Sequence, residues 1–509
     1  MNRMQPDWEE SKRQMQGQLE KLWRDVETFV REGTAVHQVE RHLFREVLAL
    51  GFALLGYFFS LLGAGDQGEQ VVLEDGRVLR RLEGARVRRY LSVFGEFLLS
   101  RYVYGEREKQ AQEYIPLDAR LQLPEGVHSY LWQEWSQALA VHFSFEQVAE
   151  VLGNLLGWKT GVSALERSNR AMAELAADYW RQTPAEPTPE GGFVVASADG
   201  KGVPMRKPAT APSIQAHDGH RGPAKDSKKM AIVGAAYDAQ PQVRTAEEVL
   251  QSLFRSPLEP KAPADAAGAR KKPIAKAVRA SLTHAANDGE EVNARDIVFP
   301  WLGEQVRQRD PAGVKTVVVV MDGQACLWGD AQAALGDRQR VEVLDFLHVT
   351  EKLWELAHVL DEPAQQRMKM DGYVFMLLNG QVRELTAWFR HEAKTRRLTP
   401  ADRQKVESVC GYFENNLGRM RYGEYLAAGY PIASGVIEGA CRHVVKDRLE
   451  RTGMRWTVEG AQAMLQLRCI AINQQWDSFT TFRVRRESER LYPHTTLYEV
   501  EDWPIPLAA

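Results

Sequence analysis

Three acidic residues occupy positions where a carboxylate can do chemistry rather than merely solubilise a surface. Asp199 closes the apolar run FVVASAD, Asp322 closes VVVVMD, and each is followed by glycine. The runs predict buried strands ending at these residues, and α/β sheets place their sites at the ends of strands. If the strands are neighbours, the two carboxylates converge, which is unfavourable unless a cation neutralises them. Mg2+ or Mn2+ is the natural counter-ion for oxygen ligands. An Asp-Gly pair is also a common strand-ending turn, so a third acid bears on the choice. Glu438 lies on a predicted helix from Ser434 to Arg451, flanked by Gly435, Gly439 and Ala440, small residues that let a helix press on a sheet. The competing expectation is a surface helix with i,i+4 ion pairs.

The same helix carries Arg442, Lys446, Arg448 and Arg451, and Lys201 follows Asp199 by two positions. These five are candidate contacts for a phosphate backbone beside a metal site. Trp456 can stack on an unpaired base or pack into a core. Asp345-x-x-His348 sits where a short strand, 340–349, gives way to a helix.

The elements that must hold these residues follow from periodicity and turn signals. Residues 1–66 read as helical. Within them Val47 to Gly65 is uncharged over 19 residues, long enough for a bilayer span, but it continues an amphipathic pattern and is better read as a buried or dimerising helix. Residues 67–125 contain a small β-hairpin turning near Gly95, with six arginines between Arg77 and Arg89. Residues 126–182 show two helix starts, Ser144-x-x-Gln147 and Ser163-x-x-Glu166, the second helix running through Trp180. Both have the capping-box pattern. The Gly-containing turn between them, which carries Lys159, gives helix-turn-helix spacing. Lys159 and Ser163 are the candidate DNA contacts here, and an ordinary helical hairpin is the alternative.

The linker 183–192, within the Pro/Gly-rich RQTPAEPTPEGG, marks a domain boundary. Strands are expected at Phe193–Asp199, Met230–Tyr237 and Val317–Met321, with a mobile loop from Arg206 to Lys229. Residues 257–290 read as irregular or partly helical, Ala294–Arg309 as a helix, and 364–430 as helices only. A further helix is expected from Trp456 to about Trp476, and 481–509 reads as a tail.

With 65 Lys+Arg against 68 Asp+Glu, any nucleic-acid surface must be local rather than a property of the whole chain. Four scattered cysteines exclude a disulfide scaffold and offer no C-x-x-C zinc or redox pair, which fits a reducing cytoplasm. No export segment is visible at the N-terminus, and no membrane partner is expected.

The segments ADGKG (198–202), MDG (321–323), DFLH (345–348) and PIASGVIEGACRHVVKDRLERTGMRW (431–456) resemble bacterial insertion-sequence transposases of the ISKra type, relatives of the Mutator-like transposases. The resemblance covers about residues 30–480. It implies a DDE transposase: a multidomain, mainly α protein with an α/β RNase H-like core over 193–362 and 431–480, interrupted by a helical insertion at 363–430. It carries the acidic triad onto Asp199, Asp322 and Glu438, holding two Mg2+ or Mn2+ ions, with Asp345 and His348 in support. The 123 positions between Asp199 and Asp322 exceed a minimal core, so 205–290 would hold inserted loops. The implied partners are double-stranded DNA, as element ends and target, and a second copy of the chain in a homodimer or higher oligomer, with the N-terminal helices as candidate interface. The chain would be cytoplasmic, at the nucleoid when bound to DNA. A structure-selective nuclease on the same core, or a non-catalytic DNA-binding protein, are the competing expectations.

Overall fold

The structure, a computed structural model, describes residues 8–73, 75–106, 114–188, 192–206, 228–254, 271–285, 289–451 and 453–493. Part of the expected linker, most of the basic loop after Arg206, the stretch 255–270 and the end of the tail lie outside these residues. The protein is mainly helical, with a mixed five-stranded sheet, and divides into two units: 1–175 with 476–509, and 176–475.

The first unit begins with two helices, α1 (Trp8–Glu32) and α2 (Val36–Leu62). They run antiparallel, tied by Lys21–Glu46 and Asp25–His42. α2 is long and apolar enough to cross a membrane, yet only 6% of its apolar window is buried. Of the expected buried or dimerising helix, the buried alternative is corrected. Short strands β1 (Gln70–Val72), β2 (Val78–Arg81) and β5 (Tyr104–Gly105) form one small sheet, while β3 (Arg86–Ser92) and β4 (Gly95–Arg101) form the expected hairpin, pairing Ser92 with Gly95. Three of its arginines are neutralised within the protein, Arg88 and Arg101 on buried Asp118 and Arg89 on Glu96, and Arg81 of β2 pairs with Asp66.

Helices α3 (Pro116–Leu121), α4 (Tyr130–Ala140), α5 (Phe145–Leu156) and α6 (Val162–Ala173) complete this region. Ser144 and Gln147 make the expected capping box on α5. The second box is absent: α6 starts at Val162 behind Gly161, with no side-chain cap, so Ser163 lies inside the first turn. The expected single helix through Trp180 ends at Ala173, and α7 (Ala176–Gln182) is separate.

The second unit is built on one sheet. Strands β6 (Phe193–Pro204), β7 (Lys228–Ala239) and β8 (Ile274–Leu282) are antiparallel, and β11 (Thr316–Met321) and β12 (Arg340–Leu344) run parallel to β6, in the order β12-β11-β6-β7-β8. Helix α8 (Ala246–Leu253) and the pair β9 (His284–Ala285) and β10 (Glu291–Val292) lie between. Two expectations are corrected here. β6 runs five residues past Asp199, so Asp199-Gly200 is mid-strand and not a turn. β8 falls inside the stretch expected to be irregular or helical.

Val317–Met321 is fully buried because both sheet faces are covered. Helices α9 (Ala294–Arg309) and α10 (Ala325–Leu335) pack on one face, around Val194, Ala196, Val317 and Val319. The other face packs Val195, Val318, Val320 and Val343 against α11 (Phe346–Leu360) and the helices of the insertion, α12 (Pro363–Leu378), α13 (Val382–Thr395), α14 (Pro400–Asn415) and α15 (Tyr422–Ala427). The helix carrying Glu438 is composite: α16 (Gly435–Cys441), a π-helical turn over Arg442–Lys446, and α17 (Asp447–Leu449). The π turn loosens the carbonyls of His443 and Val444, and the buried guanidinium of Arg468 donates to both.

Arg468 comes from α18 (Val458–Ile472), which covers the edge of β8. There Gln462 accepts from Leu282 N at 2.8 Å, and Asn473 exchanges hydrogen bonds with Val278 at 2.8 and 2.9 Å. Side-chain amides thus satisfy an edge that would otherwise template pairing. α19 (Trp476–Leu491) belongs to the first unit, where its Arg483 donates to Gln133 of α4. Residues 481–491 are therefore a docked helix rather than the start of a tail.

Candidate active site

Strand register assembles the site. β11 pairs with β6 from Thr316–Phe193 to Val319–Ala196, and Asp322 and Asp199 each lie three positions beyond the last pair. β11 pairs with β12 up to Met321–Leu344, and Asp322 and Asp345 are the next residue on each chain segment. Asp199, Asp322 and Asp345 therefore come to the same end of three neighbouring parallel strands, close enough for the charges of Asp199 and Asp345 to act on Asp322. The β6–β11 ladder stops at Val319–Ala196, so these acids sit where the two strands part, the crevice position of an open α/β sheet. α16 packs on β6 and β7 and adds Glu438 on the same side. Buried Ala440 makes that close approach, whereas a Cβ at Gly439 would meet nothing.

The local hydrogen bonds separate these acids into two roles. Asp345, fully buried, caps α11: its oxygens accept from the backbone N–H of Leu347 and His348, from Ser434 N at 2.8 Å and from His348 Nδ1 at 2.5 Å. Burial pushes its carboxyl up, but the bonds from His348 and Ser434 outweigh this and hold it below the usual carboxylate range. The bond to Asp345 raises His348 to about 9 against the opposing effect of burial, so the ring is protonated at neutral pH. The remaining acids are half-buried and lightly held. Among the described residues, Asp322 accepts from Gln324 N at 3.0 Å and Glu438 from Ser434 Oγ at 3.2 Å. Asp199 accepts from Gly200 N at 2.7 Å and from the Cys441 thiol at 3.5 Å. Burial, with Asp199 and Asp345 adding repulsion, raises the Asp322 carboxyl; burial and then Asp345 raise Glu438.

Single ligand atoms of Asp345, His348 and Glu438 lie within 4.8 Å of one another. Carboxylate oxygens are the donors a hard divalent cation takes. Among the described residues the lone pairs of Asp345 are largely engaged by hydrogen bonds, whereas those of Asp199, Asp322 and Glu438 are less so.

Among the candidate phosphate contacts, Arg442 and Lys446 are exposed on the π turn, and Lys201 is half-exposed on β6. Arg442 lies 3.5 Å from Asp447, and Arg451 donates to the Asp447 carbonyl. Arg448 is corrected: it is 1% exposed, its guanidinium stacks 5.0 Å from the Trp456 ring, and Nη1 donates to Met454 Sδ. Trp456 is corrected with it, since its ring is buried and its Nε1 donates to Leu449 O at 3.0 Å. Both are core residues because the chain after the π turn folds back onto β6, with Arg206 N and Trp456 N bonding across to Trp456 O and Pro204 O. Lys159 and Ser163, in the first unit, are exposed.

Sequence reasoning missed three groups: Ser434, which links Asp345 to Glu438; Cys441, against Asp199; and Tyr412. Tyr412 reaches over from the helical insertion so closely that a Cβ on Gly323 would lie 2.2 Å from its ring. Glycine after Asp322 thus makes room for Tyr412. Burial, then the charges of Asp322 and Asp345, push its hydroxyl up to about 12. No signal in the sequence joins position 412 to position 323. No known family model matches the chain, and no curated protein matches it in sequence.

Proposed function

We propose that the second unit is a metal-dependent phosphodiester-cleaving core, and that the whole chain is a DNA transposase of the DDE type. The observation that carries this reading is the gathering of Asp199, Asp322 and Asp345 at one end of three adjacent strands, with Glu438 beside them and, among the described residues, His348 as the cation bonded to Asp345. A site with this excess of negative charge is arranged for cations that the polypeptide does not supply. The strand order, three antiparallel strands followed by two parallel ones, agrees with an RNase H-like core, and the helical segment between α11 and α16 agrees with the insertion expected there.

In this reading Asp199, Asp322 and Glu438 hold two Mg2+ or Mn2+ ions. Such ions would supply Lewis-acid activation of an attacking oxygen and charge stabilisation of a leaving oxygen at these carboxylates. Asp345 holds the charge and orientation of His348 through Nδ1 and leaves Nε2–H to donate to a phosphate oxygen. Arg442, Lys446 and Lys201 supply positive charge beside the carboxylates for the DNA backbone. The α5–α6 pair, with Lys159 and Ser163 exposed at its turn, supplies a second DNA-binding element.

The test is incubation of the full chain with labelled duplex and nicked DNA and Mg2+ or Mn2+, scored for cleavage and for joining of 3′ ends to a second duplex. Metal-dependent cleavage and joining, both lost in Asp199→Asn with DNA retention unchanged, is the expected result. Cleavage without joining reduces the reading to a nuclease. Absence of both with every cation, or activity that survives Asp199→Asn, refutes it.

A further inference from the structure

The second unit holds a groove on the α9 side of its sheet, away from the carboxylates. Gly234 of β7 pairs with Ala198 of β6 and Arg279 of β8, and a Cβ on it would meet Val298, Trp301 and Leu302 of α9. Asp199 follows Ala198, so strand alternation turns it to the other face. On the α9 side, linker residues 183–188, the start of β8, the second half of α9 and the residues after α18 border a groove of about 440 Å³, a size that admits a small organic ligand. Ala275 and Gln474 at its edge both hold left-handed backbone, with φ 48° and 59°. Two of the three non-glycine residues so strained among the described residues therefore border one groove, and such strain gathers at ligand clamps.

Its walls present donors that lack acceptors. Gln305 is only 8% exposed; its Oε1 accepts from Arg309 Nη2 at 3.3 Å, which fixes the amide, and among the described residues its Nε2–H groups donate to nothing. A buried donor without an acceptor is unfavourable unless something external supplies one. Arg279 lies over the Trp180 ring, 4.7 Å from its centroid, and makes no ion pair or hydrogen bond among the described residues. Burial lowers its pKa to about 10, with no carboxylate to offset the effect. Lys276 is exposed on the same strand, and Trp180 and Trp301 supply two indole faces. Glu186 is the one acid that lines the groove, while the Arg309 charge is already engaged by Asp238.

We propose that this groove binds a nucleotide, with its phosphate on Arg279 and Lys276, its base against the indoles and an acceptor of the base on Gln305. A guanidinium whose N–H groups are all uncommitted matches the several oxygens of a phosphate. Indole faces stack on any base, because every base has a π face. Two sources share this chemistry, a free nucleotide and a nucleotide of single-stranded DNA. The inference does not rest on the catalytic reading: the acids face the other side of the sheet, and binding is measured without divalent cations or cleavage.

The test is calorimetric titration of the full-length protein with deoxyadenosine 5′-monophosphate in buffer containing a chelator. Binding of one equivalent is expected, with deoxyadenosine and inorganic phosphate each weaker by about tenfold or more, since each lacks half of the contacts. Arg279→Gln should weaken the nucleotide by about tenfold or more, the loss of a charge-assisted hydrogen bond, and leave deoxyadenosine unchanged. Lys276→Gln, at an exposed side chain that the fold does not need, should act in the same direction and by less. Asp199→Asn, on the other face, should bind as the wild type does. Single-stranded oligodeoxyadenylate separates the sources. If it displaces the nucleotide and itself weakens in Arg279→Gln, the groove takes a DNA strand; if saturating oligonucleotide leaves nucleotide binding unchanged, the ligand is the free nucleotide. The proposal is overturned by no binding at about 10 mM, beyond millimolar affinity, by deoxyadenosine binding as tightly as the nucleotide, by binding indifferent to both Arg279→Gln and Lys276→Gln, or by binding lost in Asp199→Asn.

Discussion

Asp238 and Asp322 belong to the same sheet, near opposite ends of its strands. Asp238, fully buried, is held by Arg309 Nη1 at 2.9 Å and Lys315 Nζ at 2.8 Å, the first cation buried and the second partly so. Close by, Asp310 accepts from the backbone N–H of Val314 and Lys315 and pairs with Arg338. At the other end His348 bonds Asp345 beside Glu438, while among the described residues Asp322 accepts from a backbone N–H and Asp199 from a backbone N–H and a thiol. One end closes its charges within the polypeptide; the other leaves a surplus. Buried charge tied to partners is scaffold, whereas surplus charge in a crevice is capacity for an external cation.

The largest contrast is in paired substitutions. Asp238→Ala strands two buried cations and should lower unfolding stability by about 3–5 kcal/mol. Asp322→Asn removes a repelling charge and should leave stability equal or higher. Urea denaturation of both variants measures the difference, and a loss in Asp322→Asn as large as in Asp238→Ala would erase the distinction between the two ends. Next in size is the response to cations. Mn2+ at about 100 times its dissociation constant should add about 2.7 kcal/mol, read as a rise in melting temperature reversed by chelation. Asp238 is far from that response in mechanism, so a variant lacking Glu438 should lose it while Arg338→Lys keeps it.

The smallest effect is in pH. Burial pushes Asp310 up, but the N–H groups of Lys315 and Val314 and the Arg338 charge outweigh it, so its carboxyl lies below the ordinary value. A folded-state value below the unfolded one contributes stability above the unfolded carboxylate range, about pH 4, and loses it as pH falls through the folded value. The stability gap between wild type and Asp310→Asn should therefore narrow on acidification below about pH 4. Asp322 and Glu438 have raised values and run the other way: without cations, lowering the pH from neutral should relieve strain at their end.

Much of the scaffold was legible locally. The uninterrupted run Val317–Met321 is a strand covered on both faces, Ala294–Arg309 is a helix, and Asp345 is followed by a helix it caps. Strand β8 was not legible: its sequence, IAKAVRASL, has a composition that suits a helix, and it is fixed by pairing with β7 and by Gln462 and Asn473 of α18. Arg448 and Trp456 misled for a related reason. Arginine and tryptophan signal surface chemistry by type, but here each is the other's packing partner, and burial is a property of neighbours rather than of residue type.

The sequence alone determined which carboxylates could act, because strand ends and helix caps are written in short windows of apolarity and turn chemistry. Tertiary structure alone decided that Asp199, Asp322 and Asp345 meet at one end of the sheet, that Tyr412 stands over Gly323, and which cations are consumed within the core. Register and burial arise from pairings across tens to hundreds of residues, and no local window contains them.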